Sequence, residues 1–283
     1  MEVGFVGIGA MGEAMAGHVM ARGQDTVTVF DVRSEAAAPL ITRGARSAAN
    51  LTEMRAHAEM IVIMVVDDGQ VVDIARTLAA AGGRNALLAI ASTVHPRTMH
   101  AVADIVADGG LDVIDAPVCF GLKGARDGKL ATLCGGEAAH VERARPVLEA
   151  FSRAVHHLGP LGSGQLAKTV NNMLHWAHCV SNYEALLLAK RYGLDAQKLR
   201  EVLLECPATN GTLEMWDDTR FTWPQKDMNI ALALAQEGEL PLPLFGQIDQ
   251  LVRLLTPEAV EELLYGKAAD YLGQHYGAAD APR

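Results

Sequence analysis

The sequence has few cysteines, no N-terminal leader pattern and no apolar run of membrane-spanning length. Its four cysteines are scattered along the chain, at Cys119, Cys134, Cys179 and Cys206. This spacing argues against a disulfide framework or a zinc knuckle and favours reduced thiols, so we expect a cytoplasmic protein. The N-terminus MEVGFVGIG has no cationic residue before its apolar run, which predicts no signal peptide. No apolar run is long enough to cross a bilayer, and we expect no membrane partner.

Positive charge is also scarce. Lysine and arginine number 24 against 34 acidic residues, which gives a net charge of −10 and a pI of about 5.4. Proteins that bind a phosphate backbone need clustered Lys and Arg, so no nucleic-acid partner is expected. With 283 residues, 50% of them hydrophobic and 20% charged, the chain is long enough for one large or two medium globular domains.

Short apolar runs alternate with helix-like segments in the first part of the chain. The runs are EVGFVGIG, TVTVFD, IVIMVV, ALLAIAST and LDVIDAPV. Continuous apolar strands that alternate with helices predict a parallel sheet covered by helices on both faces. We expect LATLCGG and AVHHLG to be further strands that close this sheet.

The pattern changes near residue 162, after which a helical period dominates. Residues 163–192 contain no proline, and later helices are predicted over LDAQKLREVLLE, KDMNIALALAQEG, LPLFGQIDQLVRLL and TPEAVEELLYGKAADYL. Thr256 and Pro257 are typical of a helix cap and a first helical residue. We therefore predict an α/β domain over residues 1–162 and an all-α domain over residues 163–283, joined by a long helix.

Three glycines after the first predicted strand match a dinucleotide-binding turn. Gly7, Gly9 and Gly12 form G-x-G-x-x-G between a strand and a helix. The first glycine permits the tight turn, the second lets a pyrophosphate approach, and the third lets helix and strand pack closely. We predict that these glycines, with Ile8 and Met11, bind the cofactor in a Rossmann-type domain.

Asp31 ends the second predicted strand, about twenty residues after the glycines, where a carboxylate accepts both ribose hydroxyls of the cofactor. Its charge would repel the 2′-phosphate of NADP, whereas Arg33 would favour that phosphate. Asp31 has the more decisive position, so NAD is favoured over NADP. We interpret Arg33 as a solvated surface charge.

Four segments in order resemble the β-hydroxyacid dehydrogenases, the family that includes 3-hydroxyisobutyrate dehydrogenase. They are GIGAMG, DAPV with GLKGARDGKL, GSGQLAKTVNN, and KDMNIAL with LPLP, and the resemblance runs from residue 3 to about residue 250. It implies hydride transfer between NAD and a β-hydroxy acid or its semialdehyde or keto counterpart. It also implies a homodimer or homotetramer.

The resemblance implies roles for individual residues. Lys168 corresponds to the general acid/base and Asn172 to a substrate-binding residue. Lys226 and the backbone at Val65 and Val66 correspond to groups that contact the cofactor. From the residues alone, a solvated lysine is the ordinary interpretation of Lys168, and a surface lysine at a helix start is an equal alternative for Lys226.

The predicted helix after residue 162 has two contrasting faces. Its polar face, expected to face the substrate, carries Lys168, Asn172, His175 and Cys179. Its apolar face, expected to be buried, carries Leu166, Val170, Met173 and Ala177. His178 points away from the polar face, so no metal site is expected with His175, which stays a secondary candidate for acid catalysis.

The residues after DAPV depart from the family pattern. Cys119, Phe120 and Gly121 replace the usual Ser-Gly-Gly, which by resemblance binds the substrate carboxylate. A thiol is a poorer donor than a hydroxyl, and phenylalanine lacks the conformational freedom of glycine. Backbone donors survive both changes, so these three residues stay substrate-binding candidates, with a bulkier or more apolar substrate expected.

Thr93 follows the strand ALLAI and is predicted to contact the cofactor, with a helix cap ahead of Pro96 as an equal alternative. Two other functions remain open. An imine-reducing enzyme on the same scaffold generally lacks a lysine at position 168. A sensor that binds the nicotinamide cofactor without chemistry would be compatible with the altered turn at Cys119 and Phe120.

Overall fold

The first unit of the chain is built on a six-stranded parallel sheet. In the computed structural model, which describes residues 1–278, the order of its strands is β3-β2-β1-β4-β5-β6. The strands are β1 (Glu2–Val6), β2 (Thr26–Phe30), β3 (Arg46–Ser47), β4 (Met60–Ile63), β5 (Ala86–Ile90) and β6 (Leu111–Asp115). All neighbouring pairs are parallel. The strand order reverses between β1 and β4, the position at which sheets of this kind bind ligands.

Five helices connect these strands. They are α1 (Ala10–Arg22), α2 (Ala38–Thr42), α3 (Leu51–His57), α4 (Asp68–Ala81) and α5 (Pro96–Val106). The sheet has a separate apolar core on each face, because neighbouring residues of a strand point to opposite sides. In β4, for example, Met60 enters one core and Ile61 the other. This double burial explains the uninterrupted apolar runs of the sequence.

A smaller sheet of three strands follows β6. It consists of β7 (Val118–Cys119), β8 (Leu130–Cys134) and β9 (Ser152–His157), with α6 (Gly121–Arg126) and α7 (Ala138–Leu148) between them. The expectation that LATLCGG and AVHHLG close the main sheet is therefore wrong. Within the described residues, β8 meets the main sheet through an isolated antiparallel bridge between Asp115 and Gly135. The same antiparallel register continues beyond Pro117 into β7, where Val118 pairs with Thr132 of β8.

The remaining elements are mainly helical, as predicted. They are α8 (Ser163–Arg191), α9 (Ala196–Leu204), α10 (Gly211–Glu214), α11 (Pro224–Glu237), α12 (Pro243–Val252) and α13 (Pro257–Tyr265). The hydroxyl of Thr256 caps α13 by accepting from the N–H of Ala259 at 3.1 Å, which confirms the predicted cap. No helix within residues 1–278 has the length and apolar character needed to span a bilayer.

The last predicted helix is shorter than expected. It ends at Tyr265, and KAADYL instead contributes the first strand of a hairpin formed by β10 (Ala268–Tyr271) and β11 (Gln274–Gly277). The chain becomes extended at Gly266, whose carbonyl accepts a hydrogen bond from the buried Lys190. Local propensity is overridden here by a tertiary contact.

Backbone contacts divide the chain into two compact units, Met1–Lys168 and Thr169–Arg283, so the division falls inside α8. The predicted domain limit at residue 162 stays a prediction. Lys168 is grouped with the strands of the first unit, and Asn172 belongs to the second.

The predicted apolar face of α8 is exposed in part. Leu166 and Val170 are 50% and 49% exposed, whereas Asn172 and Cys179 are 7% and 0% exposed. The expectation that the apolar face is the buried one is therefore wrong at Leu166 and Val170. The physical reason is that polar groups of the first turns, beginning with Gln165, have buried hydrogen-bond partners.

Candidate functional site

The glycine turn after β1 leaves no room for side chains at its first and third glycines. Gly7 has φ +90°, and a Cβ there would lie 2.2 Å from the carbonyl oxygen of Met64. A Cβ on Gly12 would lie 2.0 Å from the carbonyl oxygen of Gly7. Both glycines are thus required for the turn itself, as the predicted roles of the first and third glycines demand.

Gly9 differs from the other two glycines. It is the N-cap of α1, with φ −73° and ψ −177°. Apart from its chain neighbours, no heavy atom of the described residues lies within 4 Å of the position that a Cβ would take. The open space lies at the N-terminus of a 13-residue helix, where N–H groups and the helix dipole attract anions. A pyrophosphate fits this position chemically. The adjacent Ile8 is buried and Met11 is half-buried.

The carboxylate of Asp31 is held beside the glycine turn. One oxygen accepts from the N–H of Ile8 at 2.7 Å and the other from the N–H of Arg33 at 2.8 Å. The Nε atom of Arg33 lies 3.6 Å from the same carboxylate, and this side chain is 65% exposed. Asp31 therefore has a fixed orientation, while Arg33 is a surface residue that pairs with it.

The loops after β4 and β5 are joined by side chain–backbone hydrogen bonds. Ser92 Oγ accepts from the N–H of Val65 at 2.7 Å, and Gln70 accepts from the N–H of Val66 at 2.9 Å. Val65 and Val66 lie beyond the end of β4, and Val66 is 51% exposed, so strand burial does not explain them. The loop after β4 is at the carboxyl end of a strand that borders the switch point, and β5 is the next strand of the sheet.

Thr93 lies in the second of these loops and is half-buried. The cap of α5 is His95, whose Nδ1 accepts from the N–H of Arg97 at 3.2 Å. The alternative role of Thr93, a cap ahead of Pro96, is therefore taken by His95. Its predicted contact with the cofactor stays a prediction.

The turn after β7 retains a glycine-like conformation in spite of its altered sequence. Phe120 has φ +82° and ψ 13°, and Gly121 has φ +55°. A left-handed conformation costs a residue with a side chain roughly 1–2 kcal/mol. The ring of Phe120 is covered by Arg153, whose Cζ lies 4.0 Å from the ring centroid. Phe120 therefore has the left-handed conformation that ordinarily favours glycine.

The amine of Lys168 lies next to this turn. Its Nζ is 3.8 Å from Cys119 Sγ, within hydrogen-bonding range for sulfur, and Cys119 is 8% exposed. Both residues belong to the first unit. The structure thus brings together the residue predicted as the acid/base and the first residue of the predicted substrate turn.

Other predicted site residues belong to the helical unit. Asn172, one turn after Lys168 on α8, accepts from the side chain of Asn171 at 3.1 Å. Lys226 is half-buried in the first turn of α11. Nδ1 of His175 lies 2.9 Å from the hydroxyl of Thr212. Within residues 1–278, no three His, Cys, Asp or Glu side chains are grouped as metal ligands.

Two buried polar residues that hold the start of α8 were not predicted as site residues. Asp115, at the end of β6, accepts from the N–H groups of Gly162 at 2.7 Å and Gln165 at 2.8 Å. Burial raises the pKa of Asp115, and these backbone hydrogen bonds lower it in part. The carboxamide of Gln165 is hydrogen-bonded to the loop after β5. Both residues lie in the segments DAPV and GSGQ, so their position in the resemblance was the available signal.

Comparison with known proteins identifies the family. The model for the NAD binding domain of 6-phosphogluconate dehydrogenase matches residues 2–159. The model for the NAD-binding domain of NADP-dependent 3-hydroxyisobutyrate dehydrogenase matches residues 162–263. A 3-hydroxyisobutyrate dehydrogenase of Pseudomonas aeruginosa is 35% identical over 271 residues, 86% of this chain and 88% of the relative. The chain belongs to the β-hydroxyacid dehydrogenase family.

Two further relatives agree with this assignment. The NAD-dependent L-serine dehydrogenase of Pseudomonas aeruginosa is 28% identical and covers 92% of this chain and 94% of its own. The solved structure of Mycobacterium tuberculosis 3-hydroxyisobutyrate dehydrogenase with L-serine has a TM-score of 0.82 at 26% identity, over 94% of this chain and 100% of that one. As a β-hydroxyacid dehydrogenase, the protein is an oxidoreductase that transfers hydride between NAD and a hydroxy acid or its oxidised counterpart.

Proposed function

We propose that this β-hydroxyacid dehydrogenase oxidises the hydroxyl group of a small 3-hydroxy acid, with Lys168 as general acid/base. The observation that carries the proposal is the distance of 3.8 Å between Lys168 Nζ and Cys119 Sγ. It places the amine at the turn whose backbone N–H groups are proposed to bind the substrate carboxylate. A 3-hydroxy acid has its two functional groups close enough together to reach both.

The proton step follows from this arrangement. NAD, when bound at the glycine turn and Asp31, supplies the hydride acceptor. The neutral amine of Lys168 accepts the proton of the substrate hydroxyl during oxidation, and the ammonium returns it during reduction. Cys119, Phe120 and Gly121 orient the substrate carboxylate. Positioned proton transfer contributes roughly 10²–10⁴ in rate, or about 3–5 kcal/mol of barrier.

Replacement of the amine tests this role. We expect Lys168→Ala to fold, to bind NADH with unchanged affinity and to lose at least about 10² in kcat. Lys198→Ala, which removes an exposed lysine from α9, is the matched control and should retain kcat. Unchanged turnover in Lys168→Ala would refute the proposed acid/base.

The substrate is best identified by a screen of NADH absorbance. The names of the relatives suggest 3-hydroxyisobutyrate and L-serine as first compounds, with more apolar 3-hydroxy acids added because Phe120 replaces the usual glycine. The screen also decides between the alternatives. Activity on cyclic imines alone would favour an imine reductase, and tight NADH binding without any turnover would favour a sensor.

We also propose a preference for NAD over NADP. The support is the carboxylate of Asp31, which is fixed beside the glycine turn by hydrogen bonds to two backbone N–H groups. A 2′-phosphate would place a second negative charge against it. Titration should give a lower Kd for NADH than for NADPH, and Asp31→Asn should narrow the difference. Equal affinities in the unmodified protein would contradict the assignment.

Two features support an oligomeric, cytoplasmic enzyme. Leu166, Val170 and Leu174 form a stripe along α8, and each is about half-exposed, at 50%, 49% and 50%. Such a stripe is typical of a helix that packs against another subunit. We propose a homodimer or homotetramer, which gel filtration at micromolar concentration tests directly. The wide spacing of the four cysteines supports the expected reducing environment.

A further inference from the structure

We propose that Gln165 is a positioning residue that fixes the amine of Lys168 relative to the loops after β4 and β5. The inference rests on the proposed role of Lys168 as acid/base. Gln165 is fully buried, at 0% exposure, and lies in the first turn of α8, three residues before Lys168.

The carboxamide of Gln165 joins α8 to the loop after β5 through two hydrogen bonds. Nε2 donates to the carbonyl of Ser92 at 2.8 Å, and Oε1 accepts from the N–H of Val94 at 3.0 Å. An amide side chain supplies both a donor and an acceptor, and here they satisfy the carbonyl of Ser92 and the N–H of Val94, two residues apart. The helix that carries the amine is thereby tied to the loop that contains Thr93, a predicted cofactor contact.

The same connection reaches the loop after β4. Ser92 is 1% exposed, and its hydroxyl accepts from the N–H of Val65 at 2.7 Å. Val65 and Val66 are the backbone groups predicted to lie against the cofactor. A continuous series of hydrogen bonds therefore runs from the turn of Lys168 to both of these loops, all within the first unit.

Asp115 holds the same helix start by a different route. Its carboxylate accepts from the N–H of Gln165 at 2.8 Å, and so binds the backbone and not the carboxamide. A Cβ on Gly164 would lie 2.2 Å from the carbonyl oxygen of Leu133, so the first turn also packs closely on β8. These contacts keep α8 in place when the Gln165 side chain is changed. The carboxamide is left to set the finer position of the amine.

The test compares Gln165→Met, which keeps length and volume but removes both hydrogen bonds, with Gln24→Met, the same change at an exposed residue just after α1. A misplacement of about 1 Å lowers rates by about 10²-fold, so kcat of Gln165→Met should fall by about 10- to 100-fold. The Kd for NADH should stay unchanged, and KM should change less than kcat. Gln24→Met, whose side chain contacts Arg22 at the surface, should retain kcat.

A second variant and a double mutant separate positioning from general damage. Gln165→Glu keeps an acceptor for Val94 but would turn a buried carboxylate oxygen towards the carbonyl of Ser92, so its kcat should fall at least as far as that of Gln165→Met. In the Lys168→Ala background, Gln165→Met should add no further loss, since it acts through the amine. If Gln165→Met lowered kcat in the Lys168→Ala background by the same factor as in the wild type, the proposal would be overturned.

The outcome also distinguishes this proposal from the one on which it rests. If Lys168→Ala loses turnover while Gln165→Met retains wild-type kcat, positioning by Gln165 is refuted and the acid/base role stands. If Lys168→Ala retains turnover, the acid/base role fails first.

Discussion

Gly9→Ala should separate cofactor binding from folding. Gly9 has φ −73° and ψ −177°, a conformation that alanine adopts readily. The added methyl group would project into the open space at the start of α1. That space is where we predict the pyrophosphate of NAD to lie, against the N–H groups of the first turn.

The expected loss of affinity follows from the hydrogen bonds that the methyl group would obstruct. A hydrogen bond to a charged group contributes about 1.5–3 kcal/mol, and about 1.4 kcal/mol corresponds to a tenfold change in Kd. Loss of one such bond should raise the Kd for NADH by about 10- to 100-fold. The stability of the fold should change little. Alanine is a weaker N-cap than glycine, which destabilises the folded state by about 0.5–1 kcal/mol. Alanine also restricts the unfolded chain, which stabilises the fold by a similar amount.

Titration of NADH fluorescence and thermal unfolding of the cofactor-free protein test both halves of the prediction. Gly12→Ala is the matched contrast, because its Cβ would lie 2.0 Å from the backbone oxygen of Gly7. Overpacking by the new methyl group should destabilise the fold by about 1–3 kcal/mol. This cost exceeds the gain of about 1 kcal/mol from the higher helix propensity of alanine, so Gly12→Ala should lower the Tm. If Gly9→Ala binds NADH as tightly as wild type, the pyrophosphate does not lie over Gly9.

Three further predictions concern the surroundings of Lys168. A double-mutant cycle of Phe120→Leu and Arg153→Met should give a coupling of about 0.5–1 kcal/mol from the cation–π contact, and additivity would exclude it. Because burial raises the pKa of Asp115, the folded state binds its proton more tightly than the unfolded chain. The free energy of unfolding should therefore decrease with rising pH between about 4, the ordinary pKa of Asp, and the raised pKa of Asp115. Urea titrations at several pH values should show that this decrease is lost in Asp115→Asn. Gly164→Ala should lower the Tm, since its Cβ would meet the Leu133 carbonyl at 2.2 Å; an unchanged Tm would contradict the close approach.

The nucleotide-binding unit was predictable because its signals are local. The end of α1 at Gly23 illustrates this, since the residue has φ +66° and its N–H donates to the carbonyl of Met20, as a terminating glycine should. The glycine turn and the position of Asp31 likewise depend on short segments with strict geometric needs. Parallel strands that are buried on both faces give short, uninterrupted apolar segments in the sequence, and few other structural elements produce this pattern.

Features that depend on distant partners were not predictable. The strands of LATLCGG and AVHHLG were expected correctly, but periodicity does not specify the strand with which each one pairs. The exposure of Leu166 and Val170 on α8 was not predicted, because hydrophobicity alone does not reveal that Gln165 has partners on another loop. The left-handed conformation of Phe120 was not predictable either, nor was the contact of its ring with Arg153, 33 positions later in the sequence.

The hydrogen bonds at the start of α8 explain why substitution of Asp115 should change stability and activity together, whereas substitution of Gln165 should mainly change activity. A helix begins with N–H groups that have no partner within the helix, and at this buried position water cannot serve them. The carboxylate of Asp115 accepts from two of them. Its loss would leave both N–H groups without an acceptor, which destabilises the fold, and would also move Lys168. The carboxamide of Gln165 instead bonds to a neighbouring loop while the helix keeps its own cap. Substitution of Asp115 should therefore lower Tm and kcat together, whereas substitution of Gln165 should lower kcat with a smaller change in Tm.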